Sequence, residues 1–120
     1  IKHAFTVHGS YKNNPNPNAT YKLDLSDSDS IESLARLLRE RGMKLDSLIL
    51  NSGVSSLGPQ LAIPHSEYEE AFRINFLGPR HVLQAFLPLL KTNAKILLIG
   101  SMSSWGALPL TGAYGISKRT

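Results

Sequence analysis

The 120-residue sequence contains no cysteine. Disulfide bridges and thiolate metal sites are therefore excluded, whereas the redox compartment stays open. The sequence also lacks any run of the roughly 20 apolar residues that a membrane-spanning helix needs. It begins without an initiator methionine or a signal-peptide pattern, and we interpret this start as internal or processed.

Basic residues are present, but they do not cluster. The 13 lysines and arginines exceed the 9 acidic residues and give a net charge of +4. A nucleic-acid interface favours clustered basic residues with interleaved aromatics, so we expect neither nucleic acid nor a membrane as partner. The 4 histidines have no ligand-spaced partners, so no metal site is predicted. With 42% hydrophobic and 18% charged residues, the composition is that of an ordinary globular domain, which we expect to be cytoplasmic.

Short apolar segments alternate with amphipathic segments along the chain. Strands are predicted over residues 4–7, 19–23, 45–50 and 95–99, and helices from 27–29 to 41, from 66 to about 90, and from 112 or 113 onward. The order β-β-α-β-α-β-α predicts an α/β fold with a parallel sheet covered on both sides. At 120 residues the chain is one domain at most, and dinucleotide-binding folds need about twice this length.

The two longer helices carry start and stop signals. Asp29 and Glu32 have capping-box spacing, and so do Ser66 and Glu69. Gly42 predicts the end of the first helix. An apolar stripe predicts the buried face of this helix, and it consists of Ile31, Leu34, Leu37 and Leu38.

Pro79 falls inside the second predicted helix. Proline has no N–H, and its ring crowds the carbonyl four residues back, which here belongs to Asn75. We therefore predict a kink that frees the Asn75 carbonyl to hold a water in a cleft. The alternative is a tolerated kink for which Gly78 supplies the slack.

Tyr114 and Lys118 are four residues apart at the start of the last predicted helix, and so they share one face. A lysine ammonium held near a phenol favours the phenolate, which makes Tyr114 a candidate proton donor or acceptor. Ser101 follows a buried strand and could hold a substrate oxygen beside Tyr114. By itself, the Tyr–Lys pair is weak evidence, and an amphipathic helix start with a solvated lysine accounts for it.

Four predicted strand ends carry small or polar residues that could contact a nucleotide. In parallel sheets, ligands bind at the carboxyl ends of the strands. The residues at these ends are Ser10 to Lys12, Asp24, Asn51 to Gly53, and Ser101. Any single strand end could be polar only because loops are solvated. It is the combination of four such ends with the Tyr–Lys pair that supports a site.

These motifs together resemble the short-chain dehydrogenase/reductase family over nearly the whole chain. The segments that carry the resemblance are Tyr114-Gly-Ile-Ser-Lys118, Ile99-Gly-Ser101 thirteen residues before Tyr114, Arg73-Ile-Asn75-Phe-Leu-Gly78, Leu50-Asn-Ser-Gly53 and Leu23-Asp-Leu25. Two of them vary from the common pattern: Gly100 stands where a serine is usual, and Leu50 and Ser52 replace an asparagine and an alanine. The resemblance implies a Rossmann-like, doubly wound parallel sheet with three αβα layers, here partial and forming one incomplete domain over residues 1–120.

The resemblance implies a catalytic role for four residues. Tyr114 would be the general acid in carbonyl reduction and the general base in alcohol oxidation. Lys118 would hold the nicotinamide ribose and favour the Tyr114 phenolate. Ser101 would position the substrate oxygen, and Asn75 would support a water in a proton relay through Lys118. The substrate would be a small carbonyl or alcohol compound.

The resemblance also implies a nicotinamide cofactor. Asp24 and Leu25 would contact its adenine, and the segment Asn51, Ser52 and Gly53 would contact its adenosine side. The loop from Ser10 to Lys12 has one lysine and no acid, which favours NADP over NAD. NAD stays possible because Lys12 could equally be a solvated loop charge.

The sequence departs from the family at both ends. No glycine-rich diphosphate loop is present, and the chain stops two residues after Lys118. The strand that precedes that loop is central in the family's order 3-2-1-4-5-6, so we expect an open sheet and marginal stability without it. We also expect the isolated 120 residues to be inactive, because catalysis needs further chain. Full-length members form homo-oligomers through their long helices, which is the implied assembly here. The competing hypothesis is a catalytically inactive truncated member that acts as an interaction module.

Overall fold

The computed structural model describes residues 9–12, 19–106 and 109–119. The predicted strand over residues 4–7 lies outside them. The regular elements are β1 (Gly9–Tyr11), β2 (Ala19–Lys22), α1 (Ser28–Glu40), β3 (Leu45–Leu50), α2 (His65–Phe72), α3 (Gly78–Phe86), β4 (Leu90–Leu98) and α4 (Gly112–Arg119). Short 3₁₀ turns lie at Gln60–Ala62, Leu87–Leu89 and Met102–Ser104, and a π-helical turn lies at Arg73–Leu77.

The described strands form two parallel pairs. Strand β1 pairs with β2, and β3 pairs with β4, in two separate two-stranded sheets. The prediction of an α/β fold with parallel strands is confirmed. The two pairs agree with the expectation of an open sheet, because among the described residues no strand joins β3 to the β1–β2 pair.

Helix α1 begins and ends as its sequence dictates, with one correction. Its N-cap is Asp27, whose extended backbone lets the side chain accept a hydrogen bond from the N–H of Asp29. The predicted capping box on Asp29 is therefore wrong, because the cap lies two residues earlier. Gly42, just past the helix end, adopts φ of 66°, a left-handed conformation that glycine adopts without strain.

The core lies between α1 and α3. Its buried side chains are Ile31, Leu34, Ala35, Leu38, Val82, Ala85, Phe86 and Leu89. The inner face of β3 adds partly buried residues to this core, among them Leu48 and Leu50. Each large apolar side chain buried here contributes about 1.5–3 kcal/mol to folding. The predicted apolar stripe of α1 is thus its buried face, with Leu37 at the margin.

The outer face of β3 and β4 is open. Ile49 is 60% exposed, and Leu97, its register partner on β4, is also exposed on this face. Ile96 and Leu98, which pair with Leu48 and Leu50, are exposed on the opposite face of β4. A sheet covered on both sides was predicted, and this prediction is wrong for β3 and β4. Apolar side chains alternate with core-facing ones along β3, but no described element packs on their side.

The second helix is built differently from its prediction. It begins after Pro64, which provides no side-chain cap, so the predicted capping box of Ser66 and Glu69 is wrong. Between α2 and α3 the chain makes a π-helical turn, in which the N–H of Gly78 donates to the carbonyl of Arg73. Pro79 then lies in the first turn of α3, where a missing N–H costs little.

Gly78 permits close contact between α3 and the end of the β2 segment. A Cβ added at Gly78 would lie 2.6 Å from the Leu25 carbonyl oxygen and 2.8 Å from the Leu25 Cβ. These neighbours include backbone, so the helix would have to shift.

We therefore expect Gly78→Ala to destabilise the chain by about 1–3 kcal/mol, as overpacked sites do. Urea unfolding followed by circular dichroism measures this loss. Gly106→Ala is the matched control, since an added Cβ there meets nothing within 4 Å. Equal midpoints for both variants would contradict the expectation.

Candidate active site

The carboxyl ends of β3 and β4 meet the start of α4 around one open cavity of about 410 Å³. Strand β3 supplies the loop that begins with Asn51 and Gly53, β4 supplies Ile99 and Gly100, and α4 supplies Tyr114 and Lys118. The complete lining is Asn51, Gly53, Val54, Ser55, Leu57, Ile99, Gly100, Ser103, Thr111, Tyr114 and Lys118. The topology thus brings four of the predicted site residues, Asn51, Gly53, Tyr114 and Lys118, to one place.

Tyr114 and Lys118 lie one turn apart on α4. The Lys118 Nζ is 6.0 Å from the centre of the Tyr114 ring, and it donates a 3.4 Å hydrogen bond to the carbonyl of Ile99. Both side chains are only partly buried, so a substrate in the cavity can reach them.

Asn75 is buried in the π-helical turn and joins three segments. Its Oδ1 accepts a 2.9 Å hydrogen bond from the N–H of Val54, and its Nδ2 donates to the Val54 carbonyl at 2.8 Å. The same Nδ2 donates to the Ser117 Oγ at 2.8 Å, and Ser117 donates in turn to the carbonyl of Tyr114. The Asn75 side chain therefore fixes the loop after β3 against α4.

Gly53 is the point where these groups come closest. A Cβ added there would lie 3.1 Å from the Asn75 Oδ1 and 3.3 Å from the Lys118 Nζ. A side chain would have to displace one of the two. Glycine at this position therefore favours the close approach of Asn75 and Lys118, since an added Cβ would make one of them shift by a few tenths of an ångström.

Ser101 does not line the described cavity. Its side chain caps the 3₁₀ turn that follows, accepting a 3.2 Å hydrogen bond from the N–H of Ser103. Ser103, which is buried, lines the cavity, as do Ser55 and Tyr114. The sequence analysis did not identify Ser103. Its position two residues after Ser101 would have indicated it only if Ser101 had already been recognised as the cap of the following turn.

The predicted adenosine end forms a second, separate cavity of about 460 Å³. Lys12 and Asp24 line it, and the Lys12 Nζ lies 3.2 Å from the Asp24 Oδ2. The other Asp24 oxygen accepts hydrogen bonds from the N–H and the hydroxyl of Ser26. Burial raises the pKa of Asp24, but the hydrogen bonds from Ser26 and the contact with Lys12 outweigh it and hold this pKa below its ordinary value.

The other predicted cofactor residues lie apart from both cavities. Ser52 follows β3 on the side of the α1–α3 core. Leu25 packs on that core and touches Gly78. Ser10 lies in β1, where the structure describes only the backbone.

A nicotinamide cofactor fits the two described cavities at its ends. The cavity that Gly53 and Lys118 line is open beside the Lys118 ammonium, and near Lys12 a cation faces a polar hollow. Between them, the described residues offer no helix N-terminus after a glycine-rich loop to hold a diphosphate.

No group of three or more metal-ligating side chains occurs in the part of the chain that the structure describes. In that part, no helix is long and apolar enough to cross a membrane.

Comparison with known proteins identifies the class. The sequence matches the short chain dehydrogenase family over residues 3–120, and the chain belongs to this family. It is 32% identical to human 17-beta-hydroxysteroid dehydrogenase type 1 over 101 residues, which cover 82% of this chain and 30% of that protein. It is likewise 32% identical to human carbonyl reductase (NADPH) 1 over 88 residues, covering 73% and 32% of the two chains.

A solved structure gives the same result. The alcohol dehydrogenase of Thermococcus sibiricus, complexed with 5-hydroxy-NADP, superimposes with a TM-score of 0.77 at 28% identity. The match covers 85% of this chain and 44% of that one. The fold is thus a partial Rossmann-like fold of this family, and the chain spans less than half the length of these relatives.

The Asn75 contacts generate a stability prediction. Asn75→Asp keeps an acceptor for the Val54 N–H but loses both donated hydrogen bonds and places a carboxylate beside a carbonyl oxygen. We expect a loss of about 3 kcal/mol in the free energy of unfolding, since buried partners are left unsatisfied. Urea titration measures it, with the exposed Asn51→Asp as control; similar small losses for both would contradict the assigned contacts.

The lowered pKa of Asp24 generates a pH prediction. A carboxylate with a depressed folded pKa adds stability above its unfolded pKa of about 3.9, and this contribution is lost as the pH falls through the folded pKa. Asp24→Asn should therefore be less stable than the unmodified chain at pH 6, and the gap should narrow towards pH 2. The urea midpoints of Asp24→Asn and of the control Asp29→Asn, measured between pH 6 and pH 2, test this prediction. A stability difference that does not change with pH would show that Asp24 acts only through neutral contacts.

Proposed function

We propose that the chain carries the catalytic half of an NAD(P)-dependent oxidoreductase, which transfers a hydride between a nicotinamide cofactor and a carbonyl or alcohol carbon. The observation that carries this proposal is the shared cavity of Tyr114, Lys118 and Gly53 at the ends of β3 and β4. The whole protein's substrate is a small carbonyl or alcohol compound.

Tyr114 is the general acid and base of the proposed reaction. In reduction, the phenol gives its proton to the carbonyl oxygen while the carbonyl carbon receives the hydride; in oxidation, the phenolate takes the hydroxyl proton. The hydride is supplied by the cofactor when it is bound. Lys118, whose ammonium lies 6.0 Å from the centre of the Tyr114 ring, holds the nicotinamide ribose.

Asn75 and Ser101 complete the proposed catalytic set. Asn75 positions α4 through Ser117 and supports a proton-relay water through its backbone carbonyl. Ser101 orients the substrate oxygen when its hydroxyl turns away from the Ser103 N–H, a single hydrogen bond of 3.2 Å. That rotation costs about 1 kcal/mol, which a bond to the substrate oxygen offsets.

The remaining residues hold the cofactor in this proposal. Asn51, Ser52 and Gly53 contact it at the end of β3, and Asp24 and Leu25 contact its adenine. Ser10 and Lys12 lie at the ribose.

NADP is the preferred cofactor, since Lys12 is a cation able to meet its extra phosphate. The phosphate has to compete for this ammonium with Asp24, which is 3.2 Å away. This competition weakens the preference and leaves NAD possible.

We further propose a cytoplasmic protein whose full-length form assembles as a homo-oligomer through its long helices, without a nucleic-acid or membrane partner. A second candidate function is an inactive interaction module that spans one incomplete domain, residues 1–120. The open apolar face of β3 and β4 favours it, since such surfaces bind protein partners.

Cofactor binding and turnover separate the two functions. We expect nicotinamide fluorescence to change on titration of the chain into NADPH, more strongly than into NADH. In the full-length protein, Tyr114→Phe should leave this binding within about twofold and reduce carbonyl-dependent NADPH oxidation by at least about 100-fold, since general acid–base catalysis contributes that much.

Tyr68→Phe is the matched control, because the Tyr68 hydroxyl bonds to the Gln60 carbonyl outside the catalytic set. Activity unchanged in Tyr114→Phe would overturn the assigned acid. Absence of any nicotinamide binding would favour the interaction module.

A further inference from the structure

The short 3₁₀ turn after β4 begins at Ser101. The N–H of Ser104 donates a 3.0 Å hydrogen bond to the Ser101 carbonyl. The Ser101 hydroxyl accepts another, at 3.2 Å, from the N–H of Ser103. Because hydrogen bonds of this kind close a tight 3₁₀ turn, they hold Ser101 and Ser104 in a fixed relation to each other.

The side chain of Ser104 connects this turn to α4. Its hydroxyl donates a 2.9 Å hydrogen bond to the backbone carbonyl of Lys118. Both residues are only partly buried, so burial alone would not require a hydroxyl at position 104. The bond joins two separate elements, and it therefore fixes the turn against the helix.

The ammonium of Lys118 contacts the start of the same segment. Its Nζ donates a 3.4 Å hydrogen bond to the carbonyl of Ile99. The N–H of Ile99 in turn donates to the Leu50 carbonyl at the end of β3. Residues 99–104 thus bind Lys118 both at its backbone and at its ammonium. Hydrogen bonds at both ends of a side chain restrict its conformations, so the ammonium has a defined position.

The turn also holds α4 on the side opposite Asn75. The Ser117 hydroxyl accepts a 2.8 Å hydrogen bond from the Asn75 amide on one side of the helix. The turn lies beside Gly115, where an added Cβ would be 3.7 Å from the Ser103 carbonyl oxygen. Residues two apart on a helix point in directions about 200° apart. Contacts on both sides restrict the rotation of α4, and so they fix the direction in which Tyr114 meets the cavity.

We propose that Ser104 is a positioning residue for Lys118, and that its hydroxyl fixes the separation between Ser101 and the Lys118 ammonium. This inference rests on the proposed function, in which Ser101 orients the substrate oxygen and Lys118 holds the nicotinamide ribose. Ser104 does not line the catalytic cavity and touches neither substrate nor cofactor. It acts by keeping the groups that bind them at one distance.

The mobility of the Lys118 side chain tests this positioning without any cofactor. The NMR order parameter of Lys118 Cε, measured in the full-length protein, should fall by about 0.2 in Ser104→Ala, because the helix then loses its bond to the turn. Ser104→Thr keeps the hydroxyl and should retain the order parameter. Ser66→Ala is the matched control, since the exposed Ser66 lies at the start of α2.

Cofactor binding to the full-length protein provides the functional readout. Ser104→Ala should weaken NADPH binding about fivefold, as the loss of one hydrogen bond does, and Ser104→Thr should restore it to within about twofold. In a Lys118→Met background no ammonium is left to position. There, Ser104→Ala should weaken binding by less than about twofold more. Equal losses in the two backgrounds would show that Ser104 acts on the fold and not through Lys118, which would overturn the proposal.

Circular dichroism and urea midpoints establish that each variant folds. Ser104→Cys, whose thiol is a weak donor, takes the place of Ser104→Ala if that variant does not fold. An unchanged Lys118 order parameter would contradict the proposal, and so would a loss that Ser104→Thr does not restore. If the unmodified full-length protein bound no NADPH, the proposed function would fail, and the order parameter would still decide the role of Ser104.

Discussion

The arrangement of the candidate site depends on the side chain of Asn75. Three hydrogen bonds link this buried amide to the loop after β3 and to α4. They help to set the distance between the strand ends and the Tyr114–Lys118 pair, together with the Ser104 hydroxyl that donates to the Lys118 carbonyl. The π-helical turn places the Asn75 amide within hydrogen-bonding distance of the loop after β3 and of α4. The local backbone geometry therefore determines which residues meet at the cavity.

The sequence predicts the parts of this structure that rest on short-range regularity. The four-residue spacing of Tyr114 and Lys118 holds because one helix carries both. The apolar stripe on α1 holds because amphipathic helices bury such a stripe. Asn51 and Gly53 lie at the site because the carboxyl ends of parallel strands meet at one edge.

Features that depend on competing local partners or on distant chain were harder to predict. The cap of α1 is Asp27 although Asp29 also fits the pattern, since only backbone conformation chooses between two suitable side chains. The Ser101 hydroxyl accepts a hydrogen bond within the turn that follows it, and sequence spacing does not reveal this contact. Strands β3 and β4 have the apolar composition of buried strands, although their outer face is open. Composition indicates that a strand can be covered, but not whether a covering element is present.

The π-helical turn has a consequence for the phase of the long helical segment. Successive α-helical residues are rotated by about 100°, so one additional residue in a turn rotates everything after it by that angle. The stripe of α3 that contains Val82 and Phe86 meets α1 only with this offset. A single-residue deletion between Arg73 and Leu77 that restored regular winding would turn this stripe away from α1, although it would remove no core side chain.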